Sequence, residues 1–266
     1  MSTAVCRDGE ADHGWNAQDY ASNARFVADL AMPVVEQLAA RPGERVLDLG
    51  CGDGVLSQAI AARGADVLGV DASAELVAAA RERGIDAIVA DGHELAECSQ
   101  IPGRFNAVFS NAALHWMKQD PQAVIDGVYQ RLLPGGRFVG EFGAAGNVAP
   151  VHDALRQQAQ AQGLDADAID PWYFPTDAQY RERLEQAGFT VETLFSFERP
   201  TLLPGDVSGW IATLAGPFVA AFAPGSARTD YIASVRERLI DSLRDAQGRW
   251  TVPYVRLRFD ARRAAA

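Results

Sequence analysis

The stretch Arg45-Val46-Leu47-Asp48-Leu49-Gly50-Cys51-Gly52-Asp53-Gly54 passes directly from an apolar run into a glycine-rich turn, and it dictates how the rest of the chain folds. Val46, Leu47 and Leu49 suit a strand covered on both faces, the condition of a parallel sheet. The glycines permit backbone angles and close approaches that a Cβ forbids. Beyond them Val55, Leu56 and Ile60 fall at helical spacing and Gly64 stands where a helix C′ glycine belongs. Strand, tight loop and helix in this order cradle a small ligand at a helix N-terminus.

The loop's charge narrows the ligand. A dinucleotide fingerprint reads G-x-G-x-x-G, whereas here the third glycine position falls on Val55 and Gly54 comes one residue early. Asp53 lies in the loop and Asp48 just before it. A carboxylate roughly 5 Å from a diphosphate charge costs about 3 kcal/mol per charge pair at an effective dielectric of 20, and beside a cation the sign reverses. S-adenosyl-L-methionine, a phosphate-free nucleoside with a sulfonium and an ammonium, suits such a loop.

Two further acids end successive apolar runs. Asp71 follows Val67-Leu68-Gly69-Val70, about 20 residues past the loop, where an acid reaches ribose hydroxyls in this kind of fold. Asp91-Gly92 closes Ala87-Ile88-Val89-Ala90. With these landmarks, Val46 to Gly54 resembles the first motif of class I S-adenosylmethionine-dependent methyltransferases, and Leu133-Pro134-Gly135-Gly136 before a strand is also similar. The resemblance covers roughly residues 15–145. It implies an α/β fold, a doubly wound, mostly parallel, Rossmann-like sheet. It also implies a cofactor site built from Asp48, Gly50, Cys51, Gly52, Asp71, Ala72, Asp91, Gly92, Asn111 and Ala112. Tyr20 and Arg25 match the tyrosine and arginine of a leading helix that closes over the cofactor in such enzymes. Read without the resemblance, the aspartates are turn formers and helix caps.

The fourth apolar run, Phe105 to Phe109, leads into Ser110-Asn111-Ala112-Ala113-Leu114-His115-Trp116, which is similar to small-carboxylate methyltransferases of the trans-aconitate and malonyl-carrier-protein types. Ligands of open parallel sheets bind beyond the carboxyl ends of the strands, so this segment faces the acceptor. His115 is the first candidate for a base that deprotonates an acceptor hydroxyl, with His152 second. Its other reading is a helix-start residue packed beside Trp116.

The chain has 266 residues and a net charge of -11, from 35 acidic against 24 basic residues. That length suits one α/β domain with an insertion. The acidic balance, without a Lys/Arg cluster, argues against nucleic acid and anionic membranes as partners. Cys6, Cys51 and Cys98 show no metal spacing, so no zinc site and no disulfide framework is expected. No apolar run approaches the roughly 18 residues of a membrane span. The expectation is a cytoplasmic monomer or homodimer acting on a small molecule.

Toward the C-terminal end, Thr176 and Gln179 have capping-box spacing, and Trp172-Tyr173-Phe174 before them either lines a pocket or plugs the core edge. Phe189 to Leu203 and Thr251 to Phe259 read as strands. Residues 205–249 between them read as a helical insertion, with Asp206 and Ser226 as caps. By the resemblance it is a lid over the acceptor, with residues 1–204 and 250–266 as the core; an oligomer interface is the competing reading. Strand alternation puts Tyr254, Arg256 and Arg258 opposite Val255, Leu257 and Phe259. The expected acceptor wall is therefore Trp116, Trp172, Tyr173, Trp210, Tyr254 and Arg256. The full expectation is methyl transfer, most simply to oxygen. Its rivals are a same-fold enzyme catalysing a non-methylating reaction and a non-catalytic cofactor-binding module.

Overall fold

The computed structural model describes residues 30–265. Helix α1 (Met32–Leu38) precedes β1 (Arg45–Leu49), and four units follow: α2 (Val55–Ala61) with β2 (Asp66–Asp71), α3 (Ala74–Glu82) with β3 (Asp86–Val89), then β4 (Phe105–Asn111), then α4 (Pro121–Arg131) with β5 (Leu132–Gly143). Next come α5 (Ala149–Ala161), α6 (Ala166–Ile169), α7 (Asp177–Gln186) and β6 (Phe189–Leu202). The helices α8 (Val207–Leu214), α9 (Gly216–Ala220) and α10 (Ser226–Leu243) lead to β7 (Thr251–Arg263). The seven strands form one sheet in the order β3-β2-β1-β4-β5-β7-β6. β1 to β5 are parallel, and β7 runs antiparallel to both β5 and β6. The doubly wound, mostly parallel arrangement expected from the sequence is present.

Alternation along the strands divides the core. Val46, Phe109 and Val139 turn toward Val34, Val35 and Leu38 of α1. Leu47, Val108, Phe138 and Phe142 turn the other way, onto Val124, Ile125 and Val128 of α4 and Tyr180 and Leu184 of α7. Leu257 and Phe259 of β7 join this second layer. The caps behave locally: Ser73 Oγ accepts from Leu76 N and Asp120 Oδ1 from Ala123 N, and both halves of the Thr176–Gln179 capping box are formed. At α10 the expected Ser226 cap does not form; Ser226 is already helical and Gly225, at φ +98, occupies the cap position. The Leu133–Gly136 turn is an irregularity at the start of β5 rather than a separate loop.

A third apolar cluster gathers at the start of β7, whose Val252 and Tyr254 belong to it. It joins Val207, Trp210, Ile211, Phe218, Tyr231, Val235 and Leu239 of the inserted helices to Val148, Val151, Leu155 and Ala159 along α5, and to Trp172. The Tyr231 hydroxyl donates to Leu155 O at 2.9 Å. The helical layer over the sheet is thus assembled from two separate segments, and residues 205–249 are only one of them.

Candidate active site

The glycine loop is fixed from below. Gly50 N and Cys51 N both donate to Val70 O, at 2.7 and 3.0 Å, and Gly52 N donates to Asp71 Oδ2 at 2.9 Å. Gly50 has φ +75, and a Cβ there would meet Ala113 Cβ at 2.1 Å, so no other residue fits. The loop and the ends of β1 to β4 enclose a cavity of about 570 Å³, within the range of small-ligand sites. Its walls include Gly50, Gly52, Asp71, Ala72, Asp91, Gly92, Asn111, Ala112 and Trp116. These residues come from four strand ends, as an open parallel sheet requires.

Several expected residues stand elsewhere. Asp48 is 2 % exposed and lies beneath the loop, where Ser57 Oγ donates to its Oδ2 at 2.5 Å; it supports the cavity and does not line it. Burial raises its pKa to about 7, against the Ser57 hydrogen bond and with the Asp71 charge adding to the rise. The Cys51 side chain packs behind the loop with Val77, Ala80 and Ile85, and burial pushes its thiol pKa well up, which keeps it protonated and inert. Asp53 was the acid that argued against a diphosphate, yet it pairs with Arg83 at 2.9 Å and is no part of the cavity wall. Arg83 lies 30 residues on, at the end of α3, so sequence distance concealed the partner. The acids that do face the cavity are Asp71, Asp91, Asp167 and Asp170, with Lys118 as the opposing cation. Of these, Asp167 and Asp170 are paired with Arg156, and Asp170 also with His152, so the charge preference expected from Asp53 and Asp48 does not carry over to the loop itself. Tyr20 and Arg25 lie outside the described residues.

Asp71 accepts from Gly52 N and Ser73 N, one bond to each carboxylate oxygen, and burial still raises its pKa. Each oxygen retains a lone pair for a ribose hydroxyl. Asp91 Oδ1 accepts from His93 N at 2.9 Å and stands 2.7 Å from His93 Nδ1, so this acid is already oriented by its neighbour. That hydrogen bond raises the His93 pKa against the effect of burial. Asn111 Oδ1 is buried without a hydrogen-bond partner among the described residues, and such an atom calls for a donor from a ligand. Ala112, at φ +54, holds a left-handed conformation unusual for a residue with a Cβ, and its N donates to Glu141 O at 2.7 Å.

On the acceptor side the aromatic residues divide. Trp116 lines the cavity and meets Trp172 edge to face at 5.9 Å. Trp172, Trp210 and Tyr254 belong to the core of the helical layer, where Trp210 Nε1 donates to Tyr254 Oη. Burial pushes the Tyr254 pKa up to about 12. Tyr173 turns away: it packs with the α4/α7 layer, and its hydroxyl accepts from Arg183 Nε at 3.0 Å. His115 is buried between Trp116 and Phe174. Gly143 N donates to its Nδ1 at 3.4 Å. Burial, with the Arg256 charge in addition, holds its pKa well below the usual imidazole range. His152, on α5, stands 2.7 Å from Asp170 Oδ2, which also accepts from Arg156 at 3.0 Å.

The sequence reading missed the far wall, Met117, Lys118, Gln119 and the segment from Asp167 to Pro171. Lys118 Nζ donates to Asp170 O at 2.7 Å, tying that segment to the end of the Leu114–Trp116 turn. The Asp170-Pro171 dipeptide is a turn signal; nothing in its spacing places it opposite Gly50.

Cys51 is a free thiol and Cys98 is disulfide-bonded; the cysteine spacing gave no signal for that link. Among the described residues no cluster of His, Cys, Asp or Glu is suited to a metal and no helix is long and apolar enough to cross a membrane.

A parallel five-strand half-sheet with a glycine loop, acids at the next two strand ends and an orphaned amide at the fourth defines a class I S-adenosylmethionine-dependent methyltransferase. The chain belongs to the methyltransferase-domain family, whose model matches residues 20–194. It is 40% identical over 258 residues to an uncharacterised methyltransferase of Schizosaccharomyces pombe, covering 93% of this chain and 97% of that one. It is 33% identical over 187 residues to the trans-aconitate 2-methyltransferase of Mycolicibacterium gilvum, covering 67% and 70%. Among solved structures, phosphoethanolamine N-methyltransferase 2 of Haemonchus contortus, in complex with S-adenosylhomocysteine, shares the fold at a TM-score of 0.54 and 18% identity, over 89% of this chain and 52% of that one.

Proposed function

We propose that this enzyme binds S-adenosylmethionine in the cavity above Gly50 and Gly52 and methylates an oxygen of a small organic acceptor that is already ionised. When bound, the cofactor supplies a methyl group on a sulfonium, whose sulfur keeps the S–C bonding pair as the acceptor oxygen forms its bond to carbon. The chain's own residues do the positioning. Asp71 accepts from the ribose hydroxyls, Asp91 orients the adenine side, and Asn111 Oδ1 accepts from the ammonium. Holding the acceptor in line with the departing sulfur supplies much of the rate.

The observation that carries the ionised acceptor is His115. Its Nδ1 lone pair faces the Gly143 N–H, which puts the ring proton on Nε2, and burial keeps the ring neutral. In that state it donates a hydrogen bond and does not collect a proton, so it serves to orient an acceptor, and an acceptor that arrives as a carboxylate needs no base. The trans-aconitate 2-methyltransferase relative supports a small acid as the acceptor class.

Calorimetry tests the cofactor part. S-adenosylhomocysteine should bind and nicotinamide dinucleotides should not. Asp71→Ala should weaken S-adenosylhomocysteine by about 1.5–3 kcal/mol for each hydrogen bond lost to the charged carboxylate. Dinucleotide binding, or unchanged affinity in Asp71→Ala, would remove the assignment.

A further inference from the structure

Beside the acceptor end of the sheet lies a cluster of charges that does not balance. Glu141 is 1 % exposed and faces three guanidiniums. Arg199 grips it with both Nη atoms, at 2.6 and 3.0 Å, and Arg258 reaches Oε2 with Nε and Nη2, at 2.8 and 2.6 Å. These two arginines saturate the carboxylate. Arg256, 6 % exposed, is left with a contact of 3.4 Å from Nε to Oε1. Its two Nη groups make no hydrogen bond among the described residues. Among the described residues three guanidiniums thus face one buried carboxylate, in a chain whose net charge is -11.

The place of the cluster matters as much as its charge. In register, Glu141 stands beside Asn111 of β4, and Arg256 stands opposite Gly143. Gly143 donates to His115, and the Arg256 charge is felt at the His115 ring. His115 and Arg256 both stand behind the residues that line the cofactor cavity, and the guanidinium is reached from it past Trp116, His115 and Gly143. Neither Nη group is among the buried side-chain atoms that lack a partner, so both keep contact with solvent and are open to a ligand, while burial of the side chain as a whole lowers the Arg256 pKa. A planar carboxylate presents two acceptors matched to that fork.

We propose that Arg256 anchors a carboxylate of the acceptor other than the oxygen that receives the methyl group, with Arg199 and Arg258 held by Glu141 as the surrounding positive field. This rests on the function proposed above and narrows the acceptor to small di- or polycarboxylic acids. Arg256 contributes binding and orientation; the bond changes remain those of the methyl transfer already described.

The test titrates malonate, succinate, glutarate and citrate, and separately succinamide and inorganic phosphate, into protein saturated with S-adenosylhomocysteine. At least one dicarboxylate should bind, and succinamide should bind at least about tenfold more weakly than succinate, the loss expected for charge-assisted bonds. Arg256→Gln should weaken the acid at least about tenfold with S-adenosylhomocysteine affinity unchanged. Glu141 keeps Arg199 and Arg258 in that variant, so no buried carboxylate is orphaned. Arg236→Gln, on the outer face of α10 and paired with Asp206 and Glu237, should behave as wild type. If the variant fails to fold, the wild-type comparison of acid with amide still decides. Equal binding of succinate and succinamide, no binding by any of the four acids, or equal affinity in Arg256→Gln overturns the anchor while the cofactor assignment stands. Tighter binding of phosphate than of every carboxylate overturns it in favour of a phosphorylated acceptor. Failure of wild type to bind S-adenosylhomocysteine overturns both readings together.

Discussion

Asp48 sits in the first recognisable motif of the chain, yet its position under the loop gives it a thermodynamic role that the motif does not describe. Its pKa, raised to about 7 by burial, exceeds that of an unfolded aspartate near 3.9, so between those values the folded state holds the proton more tightly. The stability this group contributes is full below about pH 4 and is lost as pH rises through 7. Asp71 and His93 shift in the same direction, whereas Glu141 and Asp170 are held below the usual carboxylate range and titrate in more acidic solution. For Glu141 burial pulls upward but the three arginines outweigh it; for Asp170 the bonds from His152 and Trp172 N do so. The ligand-free protein should therefore melt at lower temperature at pH 8 than at pH 5.5, and Asp48→Asn should flatten that slope. Each kcal/mol corresponds to roughly 2–4 °C at this chain length. Thermal scans of both proteins across that range would show a parallel pair of curves if Asp48 is not the titrating group. At this scale the sequence was legible where a residue acts through its own backbone position, as at Gly50, Asp71 and Asn111. It was misleading where a partner comes from afar, as when Arg83 takes Asp53.

Elements were legible where capping chemistry is local. Thr176 and Asp206 cap the helices they were expected to cap, and Ser73 and Asp120 cap theirs by the same local chemistry. The Thr176–Gln179 box is reciprocal and exposed, so Thr176→Ala should cost about 1 kcal/mol in urea denaturation and leave S-adenosylhomocysteine affinity unaltered. A loss of affinity there would mean that α7 positions the site rather than merely supporting the sheet. Helix α5 went unread for a physical reason. Its buried residues, Val151, Ala154, Leu155, Gln158 and Ala159, do fall at helical spacing; what the spacing does not carry is which helices, far downstream in the chain, cover that face.

At the scale of the molecule, the inserted helices share their apolar core with elements that precede β6. Trp172 and α5 come from the chain before β6, and Trp210, Tyr231 and Val235 from the chain after it, yet they share one apolar cluster. Replacing residues 205–249 by a short linker should leave Val151, Leu155 and Trp172 uncovered, with aggregation or strong binding of a hydrophobic dye as the outcome. A soluble, monodisperse deletion that still binds S-adenosylhomocysteine would instead establish the insertion as a separable module. The core strands were readable because parallel strands buried on both faces leave apolar runs. The composite layer was not, because its two halves are joined only by tertiary packing.

Strand β7 lies between β5 and β6 although it follows both in the chain. During synthesis β5 and β6 emerge with a strand's width missing between them, and residues 251–263 must enter that gap before the sheet can close. Glu141 waits 115 residues for Arg256 and 117 for Arg258. Contacts of such separation are slow to form, since loop closure must precede them. Entry of β7 is thus also the step that brings Arg256 to the proposed acceptor site: a nascent chain that has not yet threaded β7 carries the glycine loop and His115 but lacks the guanidinium proposed to anchor the molecule it is to methylate.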